Sequence, residues 1–193
     1  MFQVRFHGRG GQGVVTAAEL LAEAAFGEAR HAQAFPSFGS ERMGAPVMSF
    51  CRISDRPIRT HEPVTEPDAL LIQDPTLLHQ ADLFAGLNQQ GYMLINSAKS
   101  FDELGLDEFV KDFHRERLLV VPASALAMTH LGRPLPGAPM LGGFAALTGR
   151  VSLDSVLAAI TGRFADPVAE GNARAARAAF EFVTDERKAL THA

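Results

Sequence analysis

The first 26 residues constrain the fold more tightly than any other part of the chain. Phe2–Phe6 alternates apolar and polar side chains, the two-residue period of a strand. His7-Gly8-Arg9-Gly10-Gly11-Gln12-Gly13 is too rich in glycine for either regular element. Val14–Phe26 then spaces its apolar residues at helical intervals among many alanines, and Gly27 supplies a stop. Strand, glycine loop and helix in that order open a βαβ unit. The spacing Gly8-x-Gly10-x-x-Gly13 permits a tight turn and lets a phosphate approach the main chain. The helix beginning near Val14 would present free N–H groups and a positive dipole end to such an anion. Arg9 adds a charge-assisted contact and Gln12 an amide donor. A tight strand-to-helix turn packed against another subunit is the alternative use of the same glycines.

The rest of the chain alternates in the same way. His31–Phe35 is a short second strand, Pro36–Pro46 has loop composition, and Val47–Ile53 is a strand closed by the turn Ser54–Pro57. Ala69–Ile72 is a short apolar run of the kind found in buried parallel strands. Asp74-Pro75 reads as a helix start, with Asp as cap and Pro in the first helical position. Gly91–Ile95 and Leu118–Val121 are two further strands, with a helix over Asp107–Phe113 between them. Gly132–Gly143, with four glycines and three prolines, reads as a long connection. Helices follow over Ser152–Ile160 and from Asp166-Pro167 to about Val183. The expected architecture is a single Rossmann-like α/β domain over residues 1–193, with a mainly parallel sheet flanked by helices and the segment from about 140 to 193 packed on it.

The nature of the anion can be tested against the chain. An NAD site wants an acid about 20 residues beyond the loop, at the end of the second strand, for the ribose hydroxyls. Phe35-Pro36-Ser37 stands there instead; Glu28 comes too early and Glu41 too late. Arg30 or Arg42 would suit a phosphorylated ribose, as in NADP or a 3′-phosphorylated nucleotide. The segment Phe35–Pro46 would lie over the glycine loop if the second strand neighboured the first. Ser40 and Arg42 would then complete a phosphate clamp, Gly39 and Gly44 allowing close backbone approach; a Glu41–Arg42 pair is the structural alternative.

Charge distribution agrees with a phosphate. The net charge is −4, which argues against a nucleic-acid partner, yet residues 1–60 hold seven arginines, no lysine and five acids, giving +2. Cys51 is the only cysteine, so the chain cannot supply the roughly four thiolates of an iron–sulfur cluster. Cys51, inside a strand, reads as a small core residue. The seven histidines show no metal-like spacing, so no metal site is expected. His7 either orients a phosphate or packs in the turn. Asn96 and Ser97 end a strand at the sheet edge where α/β domains bind ligands. No nucleophile–base pair or paired carboxylate is recognisable, so no catalytic residue is expected here. No apolar run approaches the roughly 18 residues of a membrane span, and no secretory leader is seen, which points to a cytoplasmic protein.

Three segments carry a family resemblance: His7-Gly-Arg-Gly-Gly-Gln-Gly-Val-Val-Thr-Ala-Ala18, Gln33–Pro46 with Phe-Gly-Ser-Glu-Arg-Met-Gly-Ala-Pro, and Phe50–Ile58. Together they resemble the gamma subunit of pyruvate/2-oxoacid:ferredoxin oxidoreductases, over nearly the whole chain. Pro67-Asp68, Asp74-Pro75, Met140–Gly143 and Asn172 fit the same pattern. The resemblance implies oxidative decarboxylation of a 2-oxo acid on thiamine diphosphate, electron transfer to ferredoxin or flavodoxin, and acyl transfer to coenzyme A. It places thiamine diphosphate, Mg and [4Fe-4S] clusters on alpha, beta and delta partner subunits, in keeping with one cysteine here. It assigns this chain a share of the coenzyme A site, at Gly8, Arg9, Gly10, Gly11, Gln12 and Gly13 and at Ser40, Arg42, Met43 and Gly44. The Glu-Arg-Met-Gly-Ala-Pro form resembles pyruvate-type members. A stand-alone NADP oxidoreductase and a purely structural assembly module are the competing readings.

Overall fold

A computed structural model describes residues 1–37, 43–80 and 83–191. In chain order the strands are β1 (Phe2–Arg9), β2 (His31–Pro36), β3 (Pro46–Ser54), β4 (Ala69–Ile72), β5 (Tyr92–Asn96) and β6 (Leu118–Val121). The α-helices are α1 (Val14–Gly27), α2 (Asp107–Val110), α3 (Ala123–Leu131), α4 (Gly137–Thr148), α5 (Leu153–Arg163) and α6 (Val168–Thr191). Single 3-10 turns stand at Pro75–His79 and Arg115–Arg117.

The strands form one sheet in the order β2-β3-β1-β4-β5-β6. β1, β4, β5 and β6 run parallel, in register at Val4↔Ala69, Ala69↔Tyr92 and Met93↔Leu118. β3 is antiparallel to both β1 and β2. The result is a single α/β domain with a mostly parallel sheet. One expectation fails here: β2 does not neighbour β1, because the β3 hairpin strand is inserted between them. With strands about 4.8 Å apart, β2 lies about 10 Å to the side of β1, and its end at Pro36 is level with Phe6, three residues short of the end of β1.

Both faces of the sheet are covered. Val4, Phe6, Cys51, Ile53, Leu71 and Leu94 pack with α1, α4, α5 and α6. On the other face Leu70, Ile72, Met93 and Ile95 pack under Leu77, Phe101 and Val110. The alternation in β1 therefore does not separate core from solvent. Arg5 and His7, the polar positions, are buried as well, at 5% and 7% exposure.

The C-terminal half corrects the sequence reading in several places. The segment expected to connect, Gly132–Gly143, contains the first half of α4, whose glycines serve packing. A Cβ on Gly142 would stand 2.0 Å from the Ala176 carbonyl oxygen, so only glycine lets α4 and α6 approach this closely. α3 has no counterpart in the sequence reading. Asp74-Pro75 opens one 3-10 turn rather than a longer helix, and α6 runs on to Thr191. No helix among the described residues is long and apolar enough to cross a membrane.

Candidate functional site

The carboxyl ends of β1 and β4 carry the site. β1 continues through Arg9, longer than the sequence suggested, because its whole length pairs with β3 as far as Arg9↔Pro46. Gly10 then bridges to Met43, its N–H donating to the Ala45 carbonyl (2.9 Å) and its carbonyl accepting from the Gly44 N–H (3.1 Å). Predicted residues Gly10, Met43 and Gly44 are thus brought together. Ser40 and Arg42 lie outside the described residues.

Each loop glycine has a distinct reason. A Cβ on Gly8 would come within 2.6 Å of Val14 Cγ2, so the strand end and helix start could not close up around a larger residue. Gly11 has φ +93° and Gly13 φ +72°, the left-handed region that side chains disfavour. Gly13 is the N-cap of α1, and among the described residues no side chain caps that helix. A Cβ on Gly13 would meet nothing within 4 Å. Gly13 itself thus borders open space and the first-turn N–H groups of α1 take no side-chain acceptor among the described residues, which leaves them available to an anion.

Arg9 and Gln12, expected to reach outward, hold the loop together. The Gln12 side-chain oxygen accepts from the Arg9 N–H (2.7 Å) and its amide nitrogen donates to Asp74 Oδ2 (2.8 Å). The Arg9 guanidinium donates to Thr76 Oγ1 (2.8 Å) and the Gly44 carbonyl (3.0 Å), and lies 3.3 Å from Asp74 Oδ2. Its side chain keeps one-third exposure, so part of its charge still faces solvent. Asp74 Oδ1 accepts from Thr76 N (2.9 Å) and Thr76 Oγ1 (2.6 Å). Burial alone would push the Asp74 carboxyl up. The bonds from Thr76 and Gln12 and the Arg9 charge outweigh it and hold the pKa below its ordinary value. Asp74 is the cap the sequence suggested, and also the hub that sequence reasoning missed. Its loop partners are more than 60 positions away, so no local pattern marks them.

Beneath the loop, Arg5 Nε donates to His7 Nε2 (3.0 Å), while its other nitrogens donate to the carbonyls of Val64, Thr65, Leu83 and Ala85. Burial, then the neighbouring Arg5 charge, pushes the His7 pKa down to about 3. His7 is a neutral packed acceptor, and it has no open face for a phosphate. Arg30 pairs with Asp55 (3.1 Å) just before β2, at the opposite end of the strands from the loop. Asn96 ties the end of β5 to the Gln73 carbonyl and to Ser124 at 2.8 Å each, a structural role. Cys51 is fully buried and its thiol is pushed up by burial. Among the described residues no three His, Cys, Asp or Glu side chains gather as a metal site.

A cavity of about 390 Å³ lies against the loop. It runs from Gly11–Gly13 along α1 to Leu20, and is closed by α4, α6 and the residues preceding α4. A second, more open cleft of about 630 Å³ lies over the ends of β4, β5 and β6, with Lys99 and His79 at its border.

Comparison with known proteins adds three findings. A family model described as pyruvate ferredoxin/flavodoxin oxidoreductase matches residues 3–182. The chain is 46% identical over 181 residues to the common gamma subunit of pyruvate/ketoisovalerate oxidoreductases from Pyrococcus furiosus, covering 94% of this chain and 96% of that one. It superposes with a TM-score of 0.79 and 36% identity on a pyruvate oxidoreductase subunit from Thermotoga maritima, covering 93% and 95% of the two chains. At the level of fold alone, it is also similar to part of a 2-oxoglutarate:ferredoxin oxidoreductase from Magnetococcus marinus, with a TM-score of 0.68, 17% identity and 32% of that chain covered.

Proposed function

The chain belongs to the pyruvate ferredoxin/flavodoxin oxidoreductase family as a gamma-type subunit of a 2-oxoacid:ferredoxin oxidoreductase complex, and we propose that within the complex it holds the phosphates of coenzyme A on its glycine loop. One observation carries the reading. The α1 N-terminus, uncapped by any described side chain, opens beside Gly11 and Gly13, both at positive φ and with Gly13 facing empty space. The strand order and the place of Arg30 favour this reading over the NADP alternative. β3 stands where a dinucleotide site needs the second strand, and Arg30, level with the start of β1, is at the opposite end of the strands from the loop.

The chemistry of the complex divides accordingly. Thiamine diphosphate, Mg and the [4Fe-4S] clusters belong to alpha, beta and delta partner subunits. Cys51, alone and buried, cannot ligate a cluster. The acid is pyruvate or a close relative, ferredoxin or flavodoxin accepts the electrons, and the complex works in the cytoplasm. The Pyrococcus relative is named as common to two oxidoreductases, which supports leaving the choice of acid to other subunits.

The test uses the assembled complex. Gly13→Ala places a methyl group where the phosphate would lie, and Arg42→Ala removes a guanidinium from the segment expected to complete the clamp. Losing a hydrogen bond to a charged group costs about 1.5–3 kcal/mol, so KM for coenzyme A should rise roughly 10- to 150-fold. Coenzyme A-independent decarboxylation should stay within about twofold. Equal loss in both half-reactions would show a folding or assembly role instead.

A further inference from the structure

β2 ends the sheet, and its outer edge pairs with no strand among the described residues. Which main-chain groups point outward follows from the ladder. Ser37 N donates to the Met48 carbonyl (2.9 Å), so Phe35, Gln33 and His31, at the same parity, turn their main-chain groups toward β3. Ala32 and Ala34 turn theirs outward, and neither takes a hydrogen-bond partner there among the described residues. Natural edges are guarded by lysine, proline or a bulge. β2 reads His-Ala-Gln-Ala-Phe-Pro, with no charged residue and its one proline in the last position.

An apolar stripe lies above this edge. α1 packs on β2 and on β3 alike. Val15, Ala22 and Phe26, spaced i, i+7 and i+11, share the face of α1 turned away from Leu20, which lines the cavity on its other side. None of the three is fully buried, and Phe26 is 75% exposed.

The edge complements itself. In an antiparallel pairing of two β2 strands centred on Gln33, Ala32 of one copy stands opposite Ala34 of the other. Both alanines of both copies then exchange N–H···O=C bonds, and every outward group of the two is used. Pro36, which has no N–H, falls outside these pairs. The helices fit the same two-fold axis. With α1 over β2 and β3 and strands about 4.8 Å apart, the two α1 helices stand about 10 Å apart, an ordinary packing distance. Charge favours a second copy as the occupant. The chain is −4 overall, and an isologous contact sets each charge near its own image. His31–Pro36 brings no Asp, Glu, Lys or Arg to the axis, and Glu19, the acid within the α1 stripe, is already paired with Arg163 at 2.5 Å.

We propose that two copies of this chain join edge to edge through β2, about a two-fold axis at Gln33, merging their six-stranded sheets into one and packing α1 against α1.

The test is disulfide trapping in the assembled complex. Gln33→Cys puts two thiols on the axis in a non-hydrogen-bonded pair, whose Cα atoms are about 4.5 Å apart, within the disulfide range. Cys51, the chain's own cysteine, is buried and stays silent. Mild oxidation should link two copies of this chain, read as a dimer band on a non-reducing gel. His31→Cys places its mate four residues out of register, about 13 Å away, and should not link. Phe26→Lys, at an exposed position that leaves the fold intact, should slow the Gln33→Cys link at least tenfold. Ala34→Pro removes an outward N–H while sparing the β3 ladder, and should do the same. No link from Gln33→Cys, equal linking from His31→Cys, or a link to a different subunit would overturn the pairing. A link indifferent to Phe26→Lys would overturn the α1 contact.

Discussion

Asp74 offers the sharpest test of how the loop is held. Asp74→Ala removes an acceptor for Gln12 Nε2 (2.8 Å), Thr76 N (2.9 Å) and Thr76 Oγ1 (2.6 Å), and the partner of Arg9 at 3.3 Å. A single hydrogen bond to a charged group contributes about 1.5–3 kcal/mol, but these share two oxygens and do not add. The Arg9 pair, one-third exposed, adds at most about 1 kcal/mol. A net cost of about 3 kcal/mol follows, or a fall in Tm of about 6–12 °C for a chain of this length. Asp74→Asn should cost roughly half, because Asn still caps the Thr76 turn while its NH2 faces the Gln12 and Arg9 donors. A double-mutant cycle with Gln12→Ala should give about 1–2 kcal/mol of coupling. The measurement is thermal unfolding followed by circular dichroism. Because the pKa of Asp74 is lowered in the fold, its contribution is present above the ordinary aspartate value. It is lost only as pH falls through the lowered one. A Tm for Asp74→Ala within 2 °C of wild type, or full additivity with Gln12→Ala, would refute the role of Asp74 as the hub of the loop.

Three further outcomes are expected. His7 is held neutral down to about pH 3 while the unfolded chain protonates near 6.5, so the unfolded state binds more protons between these values. Stability should therefore fall with acidification there by up to about 1.4 kcal/mol per pH unit, and His7→Gln should lose this component of the slope in denaturant titrations. Cys51 should resist thiol reagents in the native subunit and react at the rate of global unfolding; fast native labelling would contradict its burial. Gly142→Ala, whose methyl would meet the Ala176 backbone, should cost about 3 kcal/mol. Gly143→Ala, which meets the ends of Leu94 and Val183, should cost about 1 kcal/mol, and the reverse order would refute the close α4–α6 approach.

The loop was legible in the sequence because its demands are local. Gly11 and Gly13 need positive φ, Gly8 needs space, and all three requirements act within one turn of chain. The strand order was not, since β3 inserts beside β1 through a hairpin whose partner could equally have been β2 alone. α4 was hidden for the opposite reason. Each helical glycine costs up to about 1 kcal/mol of propensity, so Gly-Ala-Pro-Met-Leu-Gly-Gly looks like loop until the packing of α6 against it is known.

The arginines show the division most clearly. The sequence by itself determined that the N-terminal third is cationic, with seven arginines and a glycine-rich turn between a strand and a helix. Only the tertiary structure decided where those charges go. Arg5 buries its guanidinium on backbone carbonyls, Arg52 bonds Gln3 and the Glu62 carbonyl, and Arg30 pairs with Asp55. Arg9, expected to contact an anion, braces the loop instead, with part of its charge still exposed. A buried guanidinium must find acceptors or lose its solvation without return, so the carbonyls folded around it claim it first. What is left at the loop for the proposed anion is chiefly backbone N–H groups at the start of α1, which no side chain caps among the described residues and whose positions composition cannot give.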